Sequence, residues 1–300
     1  NVARMYYEQD RTQSEIADRY GISRPMVSKL LKEARDRGIV TIRINAPKGE
    51  SGGAPSLMEL VGRCFGIYDG VAVPGGPNDQ TTNEAVAEAA ISYLSELGGA
   101  SLGIGWGHII GDVVKHMEQK AKLVPIGTFV CPLIGNGGVG LKNYHSNELV
   151  RSIAEHSGAQ PSIISPPACV LSEQELKLTR ELDSYHEIYH VWEKLDVALV
   201  NIGNFPSVPD FASEARYGDL LIRQKAVGRI LNYFMDSQGH IIRSDTDYAI
   251  QIPLELLTRT RHVVGICSAN TSPKAFRAAL KTGYLKHFIA PEHVVREALE

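Results

Sequence analysis

A run of basic and polar side chains between residues 24 and 35 has the chemistry needed to contact a polyanion. Its members, which share the polar face of one predicted helix, are Arg24, Ser28, Lys29, Lys32 and Arg35. Lys and Arg neutralise backbone phosphates, and polar residues near the start of a helix in the major groove reach base edges. Gln13 and Ser23 stand at the predicted starts of two helices, where amides and hydroxyls hold phosphates. These residues form a candidate DNA-binding surface.

Two short helices joined by a tight turn are predicted to position this surface. Thr12 followed by Glu15 is a capping box that starts the first helix. Gly21 suits the left-handed conformation that ends a helix. Ser23 caps the second helix, and Pro25 lies in its first turn, where a missing N–H costs nothing. This spacing is typical of a helix-turn-helix.

The second helix also carries an apolar stripe that would pack it against the first. The stripe recurs at i, i+3, i+4 and i+7 and comprises Val27, Leu30, Leu31 and Ala34. Residues 38–44 then alternate as a strand does, which predicts a wing. An ordinary helical hairpin with a solvated basic face is the alternative. The caps, the turn glycine, the stripe and the charge together favour DNA binding.

Charge is distributed unevenly along the 300 residues. Residues 1–50 carry ten Lys/Arg and seven Asp/Glu, a balance of +3, whereas the other 250 carry 21 and 27, a balance of −6. A small basic head joined to a larger acidic body suggests that the head meets the polyanion. The Gly-, Pro- and Ser-rich stretch 47–55 predicts a linker between a DNA-binding domain, 1–46, and an effector and oligomerisation domain, 56–300.

Composition excludes several classes of protein. No apolar run approaches the ~20 residues that span a bilayer, and we expect neither a signal peptide nor membrane contact. Four scattered cysteines favour neither a disulfide scaffold nor a zinc site, so we expect a cytoplasmic protein. His186 and His190 have metal-ligand spacing without a third ligand nearby, and no G-x-S-x-G motif occurs. We therefore expect no metal, no cofactor and no catalytic residue.

Short apolar runs alternate with amphipathic segments throughout the body. The runs that predict strands are 70–73, 101–104, 129–133, 197–202 and 262–267. The predicted helices include 84–97, one that starts at about 108, and 273–282. Because this alternation is typical of βαβ units, we predict an α/β fold with a Rossmann-like, largely parallel sheet.

The turn Gly105-Trp106-Gly107-His108 lies between a predicted strand and a predicted helix. Glycines here let the backbone close around a phosphate, and the helix N-terminus supplies N–H groups and partial positive charge. A dinucleotide site would need an acidic residue near the end of the next strand, and none stands there. No P-loop motif occurs either. The turn is a candidate site for a small anion, with a plain tight turn as the alternative.

Five stretches spread over the chain occur in the order and spacing of a known family. They are QSEIADRYGISRPMVSKLLKEARDRGIVTIRI at 13–44, GIGWG at 103–107, NIG at 201–203, VGRILNYFMDSQG at 227–239 and SANTSPKAFRAALKTGYLKHFIA at 268–290. They resemble the sorbitol-operon-regulator (SorC/DeoR-type) family of bacterial sugar-responsive transcriptional regulators. The resemblance implies a winged-helix-like head on a body similar to sugar-phosphate isomerases and deaminases. It also implies that the turn at 105–108 holds the effector's phosphate, with His108 where many members have Arg or Thr.

Further candidate effector contacts follow other predicted strands. Asn136 and Gly137 lie in a polar turn at the end of a strand, where open α/β folds bind ligands. Asn147 stands at the start of the next helix, where its side chain either caps that helix or reaches the ligand. Asp236 either closes an Asp-x-x-Gly turn or, as the resemblance implies, accepts sugar hydroxyls. Lys274 stands near a helix start, where the resemblance places a ligand-contacting lysine.

The predicted function is that of a DNA-binding regulator of a carbohydrate-utilisation operon. A sugar phosphate or related phosphorylated metabolite is expected to modulate its operator affinity. One head makes few base contacts, so we expect a homodimer or, as the resemblance implies, a homotetramer on a near-palindromic operator. The alternative is an enzyme similar to sugar-phosphate isomerases or deaminases, with Asp236 and either His108 or His145 as acid and base. The DNA-binding head argues against the enzyme.

Overall fold

The computed structural model describes residues 2–7, 9, 11–36, 55–98, 101–120, 122–137, 142–207 and 216–300. The chain divides into two compact units, Asn1–Ala54 and Pro55–Glu300. The predicted wing at 38–44 lies outside the described residues, as does the predicted linker apart from Pro55. The domain boundaries proposed from the sequence therefore stay predictions.

The N-terminal unit contains the predicted helix pair. Within residues 2–36 the helices are α1 (Val2–Tyr7), α2 (Gln13–Tyr20) and α3 (Arg24–Asp36). The capping box is present: Glu15 N donates to Thr12 Oγ1 at 3.3 Å, and Thr12 N donates to Glu15 Oε2 at 2.8 Å. Gly21, with φ of 62°, ends α2, and Met26 N donates to Ser23 Oγ at 3.4 Å at the start of α3. The helix-turn-helix spacing is confirmed.

A small apolar core holds these helices together. It contains Met5, Ile16, Ala17, Val27 and Leu31. Of the predicted stripe, Val27, Leu31 and Ala34 are buried, whereas Leu30 is half-buried. Because α3 packs through this stripe against α1 and α2, its opposite face is available for other contacts.

The C-terminal unit is built on one sheet, to which nine strands contribute within the described residues. They are β1 (Gly70–Val73), β2 (Ser101–Ile104), β3 (Phe129–Pro132), β4 (Gln160–Pro161), β5 (Val197–Asn204), β6 (Gly228–Ile230), β7 (Tyr233–Met235), β8 (His262–Ile266) and β9 (His287–Pro291). The order β1-β9-β8-β5-β2-β3-β4 is parallel throughout, and β6 and β7 form an antiparallel hairpin on the end of β5. The predicted α/β fold is confirmed.

Helices connect and flank the strands of this unit. They are α4 (Leu57–Phe65), α5 (Asp79–Leu97), α6 (His108–Glu118), α7 (Ser146–Ser157), α8 (Glu173–Glu181), α9 (Asp183–Glu193), α10 (Leu220–Arg223), α11 (Leu254–Arg259), α12 (Pro273–Lys281) and α13 (Glu292–Leu299), with a 3-10 turn at Lys142–Tyr144. Alternate residues of β5 join different buried clusters: Val197 and Leu199 join one, and Ala198 and Val200 the other. Since successive strand residues point to opposite faces, both faces of β5 are buried.

Two element boundaries differ from those predicted by two residues or more, and hydrogen bonds explain both. α5 begins at Asp79, before the predicted residue 84, because Asn78 Oδ1 accepts Thr81 N at 2.9 Å and caps the helix there. β5 continues to Asn204, beyond the predicted residue 202, because its last residues pair with β6. The local apolar pattern predicts neither the capping hydrogen bond of Asn78 nor the pairing of β5 with β6.

Several structural features concern the membrane, disulfide-rich and metal-binding classes of protein that the composition argues against. No helix in the described ranges is both long and apolar enough to cross a membrane. The four cysteines are free. His186 and His190 are exposed on α9, and the described residues contain no cluster of side chains that could hold a metal ion. Trp192, on the same helix, is buried and donates to Pro132 O at 2.9 Å.

Candidate functional site

A cleft opens at the carboxyl edge of the parallel sheet. In the sheet, β3 and β4 lie on one side of β2. The next strand in the chain, β5, lies on the other side of β2 and pairs with β8. The adjacent strands β2 and β5 are therefore the switch point at which open α/β sheets bind ligands. The cleft has a volume of about 720 Å³ and is lined by the residues that follow β2 and β8 and by the end of β5.

The turn after β2 brings backbone N–H groups to this cleft. Gly105 N donates to Leu199 O at 2.8 Å, and Gly107 N donates to Asn143 O at 2.8 Å. These hydrogen bonds fix the turn to β5 and to the 3-10 turn. Gly107 has φ of 103°, which L side chains rarely adopt, and α6 begins at the next residue without a side-chain cap. The first N–H groups of α6 and the positive end of its dipole are thus suited to an anion.

Asn201, near the end of β5, lies against both glycines of this turn. A Cβ on Gly105 would come within 2.7 Å of Asn201 Oδ1, and one on Gly107 would lie 4.0 Å from its Nδ2. Asn201 lines the cleft and is 6% exposed, and its Oδ1 has no hydrogen-bond partner among the described residues. Because a buried acceptor without a donor is costly, this oxygen is a candidate contact for a ligand that carries a donor.

Arg229, on β6, adds a cation to the cleft lining. It is 5% exposed, and its Nη1 donates to Asn232 Oδ1 at 3.0 Å. Burial raises the pKa of Tyr144, another lining residue, and the charge of Arg229 acts in the opposite direction. A buried guanidinium is a strong partner for a phosphate or carboxylate group.

Asn201 and Arg229 are site candidates that the motifs in the sequence do not predict. Each is a polar residue inside an apolar run, VALVNIG at 197–203 and VGRIL at 227–231. That position is a usable signal, because a polar side chain in a buried strand needs a partner. The meeting of the two residues in one cleft depends on the antiparallel pairing of β5 with β6, which no local pattern reveals.

The outer wall of the cleft, formed by α5 and α6, is polar. Asp112 is half-buried there, and burial raises the pKa of its carboxyl group. Glu84 raises that pKa further, whereas Lys115 and His108 oppose the shift. Carboxylate, ammonium and imidazole groups side by side suit a ligand that carries several hydroxyl groups.

The predicted glycine turn is part of the cleft. Trp106, Gly107 and His108 line it, and Gly105 is buried next to them. His108 is exposed at the first position of α6. Gly137 instead lies behind this turn, where a Cβ would come within 3.2 Å of Trp106 Cζ3.

Asn136 and Asn147 meet around the backbone of Ile164, outside the described lining of the cleft. Asn136 Nδ2 donates to Ile164 O at 3.2 Å. Asn147 Oδ1 accepts Ile164 N at 2.9 Å, and its Nδ2 donates to Ile164 O at 2.9 Å. Of the two alternatives for Asn147, the helix cap is wrong, because α7 begins at Ser146 with His145 at the cap position. The two amides are engaged with the protein's own backbone.

Asp236 closes a turn, which is one of its two predicted interpretations. Its Oδ1 accepts the N–H groups of Gln238 at 2.8 Å and His240 at 3.0 Å, and its Oδ2 lies 3.1 Å from His240 Nδ1. Asp236 stands outside the described lining of the cleft. Lys274 is exposed in the first turn of α12, after the lining residue Thr271, and its contact with a ligand stays a prediction.

The candidate DNA-binding residues lie on and around α2 and α3. The exposed ones are Ser23, Arg24, Ser28, Lys29 and Lys32. Gln13 is half-buried at the start of α2. Arg35 belongs to α3, but its side chain is outside the described residues. The exposed residues include three cations on a helix whose opposite face is buried, as groove binding requires.

Comparison with known proteins matches both units. Residues 54–300 match the family model described as "Putative sugar-binding domain", and residues 1–37 match region 4 of sigma-70. The sorbitol operon regulator of Klebsiella pneumoniae is 30% identical over 95% of this chain and 91% of that protein. The deoxyribonucleoside regulator of Bacillus subtilis is 26% identical over 98% of this chain and 95% of that protein. The crystal structure of the full-length K. pneumoniae sorbitol operon regulator SorC has a TM-score of 0.72 and 27% identity, covering 100% of this chain and 97% of that one.

A helix-turn-helix together with a sugar-binding domain defines a DNA-binding transcriptional regulator, and the relatives that match over nearly the whole chain are regulators. The chain belongs to the SorC family of transcriptional regulators. The alternative of a sugar-phosphate isomerase or deaminase is not favoured, and the protein is a regulator rather than an enzyme.

Proposed function

We propose that the cleft binds a phosphorylated sugar or a related phosphorylated metabolite, which modulates the affinity of the protein for operator DNA. One observation carries the proposal: the buried, unpaired Oδ1 of Asn201 lies beside the N-terminus of α6, which has no side-chain cap in the described chain. A helix N-terminus favours an anion, whereas an amide oxygen needs a donor such as a hydroxyl group. A sugar phosphate offers both in one small molecule.

The anion-binding half of the site combines Arg229 with the glycine turn before α6. Arg229 contributes a full charge, which adds to the partial charge of the helix terminus. His108 contributes a full charge only when it is protonated. Asp112 and Glu84, which line the outer wall, are candidates to accept hydrogen bonds from sugar hydroxyls. Lys274 is a further candidate partner of the anion.

The operator-binding half of the function belongs to α3, which we place in the major groove. Arg24 and Ser28 near its start are candidates for base contacts, and the basic residues along it are candidates for phosphate contacts. Gln13 and Ser23 at two helix starts add phosphate contacts. The proposed partner is a near-palindromic operator bound by a homodimer or homotetramer, because one head reads too few bases.

The cellular role follows from the same two halves. We propose that the protein acts in the cytoplasm on a carbohydrate-utilisation operon, and the names of the sorbitol and deoxyribonucleoside regulators support a carbohydrate-derived effector. The effector changes operator affinity only to the extent that it binds two states of the protein with different affinities.

A thermal-shift screen of the full-length chain tests the effector proposal. We expect a phosphorylated sugar to raise the melting temperature and the matching free sugar to raise it only slightly. The Arg229→Gln variant is expected to lose the stabilisation by the phosphorylated sugar. Arg223→Gln is the matched control, because Arg223 is exposed on α10. Equal stabilisation by free and phosphorylated sugars would contradict the phosphate assignment.

A binding assay on DNA selected from a random pool tests regulation. The ligand found by the screen is expected to change operator affinity by roughly 5- to 150-fold, the usual range of coupling between two sites. An unchanged affinity at saturating ligand would contradict the regulatory role while leaving ligand binding in place.

A further inference from the structure

The 3-10 turn Lys142–Tyr144 packs against the start of α6 and holds the side chain of His108. Gly107 N donates to Asn143 O at 2.8 Å. Asn143 Nδ2 forms a hydrogen bond with His108 Nδ1 at 3.3 Å. The rings of Tyr144 and His108 meet edge to face, with their centroids 5.8 Å apart. The main chain and two side chains of one turn therefore fix the His108 ring at the first position of α6.

Gly111, three residues after His108 on α6, provides the space in which the Asn143 amide lies. A Cβ on Gly111 would overlap this amide and would come within 2.9 Å of its Nδ2. Glycine is unfavourable inside a helix, and here it is the residue that admits the amide. Asn143 is half-buried, whereas His108 is exposed. The position of the Asn143 side chain is thus set by packing as well as by its hydrogen bond.

The contact with Asn143 decides which nitrogen of His108 carries the ring proton. An amide nitrogen has two N–H groups and accepts no hydrogen bond, so Asn143 Nδ2 is the donor and His108 Nδ1 the acceptor. The proton of the neutral ring is therefore on Nε2. No hydrogen bond joins Nε2 to another of the described residues.

We propose that Asn143 is a positioning residue of the effector site. It keeps His108 in the tautomer whose Nε2–H donates to an anionic group of the ligand. His108 lines the cleft, whereas Asn143 stands outside the described lining, so Nε2 is the nitrogen that meets the ligand. This donor needs no positive charge on the ring. The inference rests on the proposed function and adds that a neutral histidine recognises the anion.

Two substitutions of His108 separate a ligand contact from a structural contact. His108→Gln places an amide nitrogen at the position of Nε2. His108→Asn places its amide at the position of Nδ1, so it keeps an acceptor for Asn143 but offers no donor to the ligand. The full-length chain is titrated calorimetrically with inorganic phosphate at constant ionic strength. We expect Kd to rise about tenfold in His108→Asn and to stay within about threefold of the parent in His108→Gln. His186→Asn, at an exposed position on α9, is the control and is expected to bind as the parent does.

Nitrogen NMR on the full-length chain with isotope-labelled histidine tests the tautomer directly. The signals of His108 are those missing from His108→Gln, and the ring-nitrogen shifts show at which pH the ring is neutral. We expect the proton of the neutral ring on Nε2. An ionised Asp in Asn143→Asp accepts but does not donate, so this variant is expected to place a proton on Nδ1. A parent with its proton on Nδ1, or an Asn143→Asp variant with Nδ1 unprotonated, would overturn the positioning role.

The outcomes separate this inference from the function on which it rests. If the parent does not bind inorganic phosphate, the proposed phosphate site fails, and the inference fails with it. If the parent binds and both His108 variants bind equally well, the inference alone is wrong. A purely structural role predicts the opposite ranking, in which His108→Asn resembles the parent and His108→Gln loses both melting temperature and phosphate affinity.

Discussion

Arg229 and Gly203 stand directly opposite each other in the antiparallel pair of β6 and β5, and the arginine side chain crosses the glycine. A Cβ on Gly203 would lie 3.0 Å from Arg229 Nε and 3.3 Å from its Cγ. Distances this short leave no room for a methyl group unless the arginine moves. The glycine in the N-I-G stretch is therefore what allows a long cationic side chain to lie along the cleft wall.

Gly203→Ala is predicted to displace the Arg229 guanidinium. We expect affinity for a phosphorylated effector to fall roughly tenfold, because a hydrogen bond to a charged group is lost or weakened. We also expect the free energy of unfolding to fall by about 1 kcal/mol through overpacking. Calorimetric titration and urea denaturation measure the two effects. Gly75→Ala is the control, since a Cβ there meets nothing within 4 Å, and equal affinity in both variants would contradict the prediction.

Local patterns were sufficient for the parts of the site that one segment builds. The turn at 105–108 was predicted from glycines between an apolar run and an amphipathic run, and the structure places that turn at the cleft. The start of α2 was predicted in the same way, from Thr12 and Glu15 three residues apart. In both cases the interacting residues are neighbours in the chain, so their spacing in the sequence is enough to predict the local structure.

Patterns were insufficient where the partner is distant in the chain. Asn136 is a candidate because it follows a strand, and Asn147 because it stands at the start of the next helix. Both amides bond the backbone of Ile164, which no spacing rule connects to them. Arg229 was overlooked because its place in the cleft depends on pairing with Gly203. Every loop at the carboxyl edge of the sheet follows a parallel strand, so that position does not distinguish ligand contacts from other residues. The packing of the loops decides which side chains face the ligand.

Lys29→Ala is predicted to weaken DNA binding by the N-terminal unit. Lys29 is exposed on α3, on the face opposite the apolar core, and its loss removes one cation from the proposed phosphate contacts. We expect the salt dependence of operator affinity, log K against log salt, to become shallower by about 1. Fluorescence anisotropy over a salt series measures this slope. Lys122→Ala, an exposed site in the C-terminal unit, is expected to keep the parent's slope, and a similar change there would contradict the assignment to α3.

Thr12→Ala is predicted to destabilise the N-terminal unit selectively. Thr12 Oγ1 accepts the N–H of Glu15, and Glu15 binds the Thr12 N–H in return, so the substitution removes half of the capping box. We expect a loss of about 1 kcal/mol in the stability of α2, seen as faster amide exchange there and weaker operator binding. Ser14→Ala, exposed on the same helix, is the matched control. Equal exchange rates in the two variants would show that the cap does not limit the stability of this unit.

His262 and His287 form a hydrogen-bonded pair at the amino edge of the sheet, with His262 Nδ1 2.9 Å from His287 Nε2. Burial lowers the pKa of His262 to about 4, aided by His287, Arg261 and Lys286 and opposed by Asp196. In the unfolded chain this pKa is close to 6.5, so below pH 6.5 the unfolded state binds more protons than the folded state. The stabilisation due to neutral His262 is therefore fully present above pH 6.5 and is lost as the pH falls towards 4.

His262→Gln is predicted to flatten this pH dependence, because glutamine cannot take up the proton that the unfolded parent binds. The free energy of unfolding, measured by urea denaturation from about pH 7 to about pH 4, is expected to fall less in the variant than in the parent. The other histidine of the pair keeps part of the dependence, since burial also lowers the pKa of His287. His186→Gln, at an exposed position on α9, is expected to retain the parent's slope. If His262→Gln retains that slope as well, the buried pair is not the group that links stability to pH.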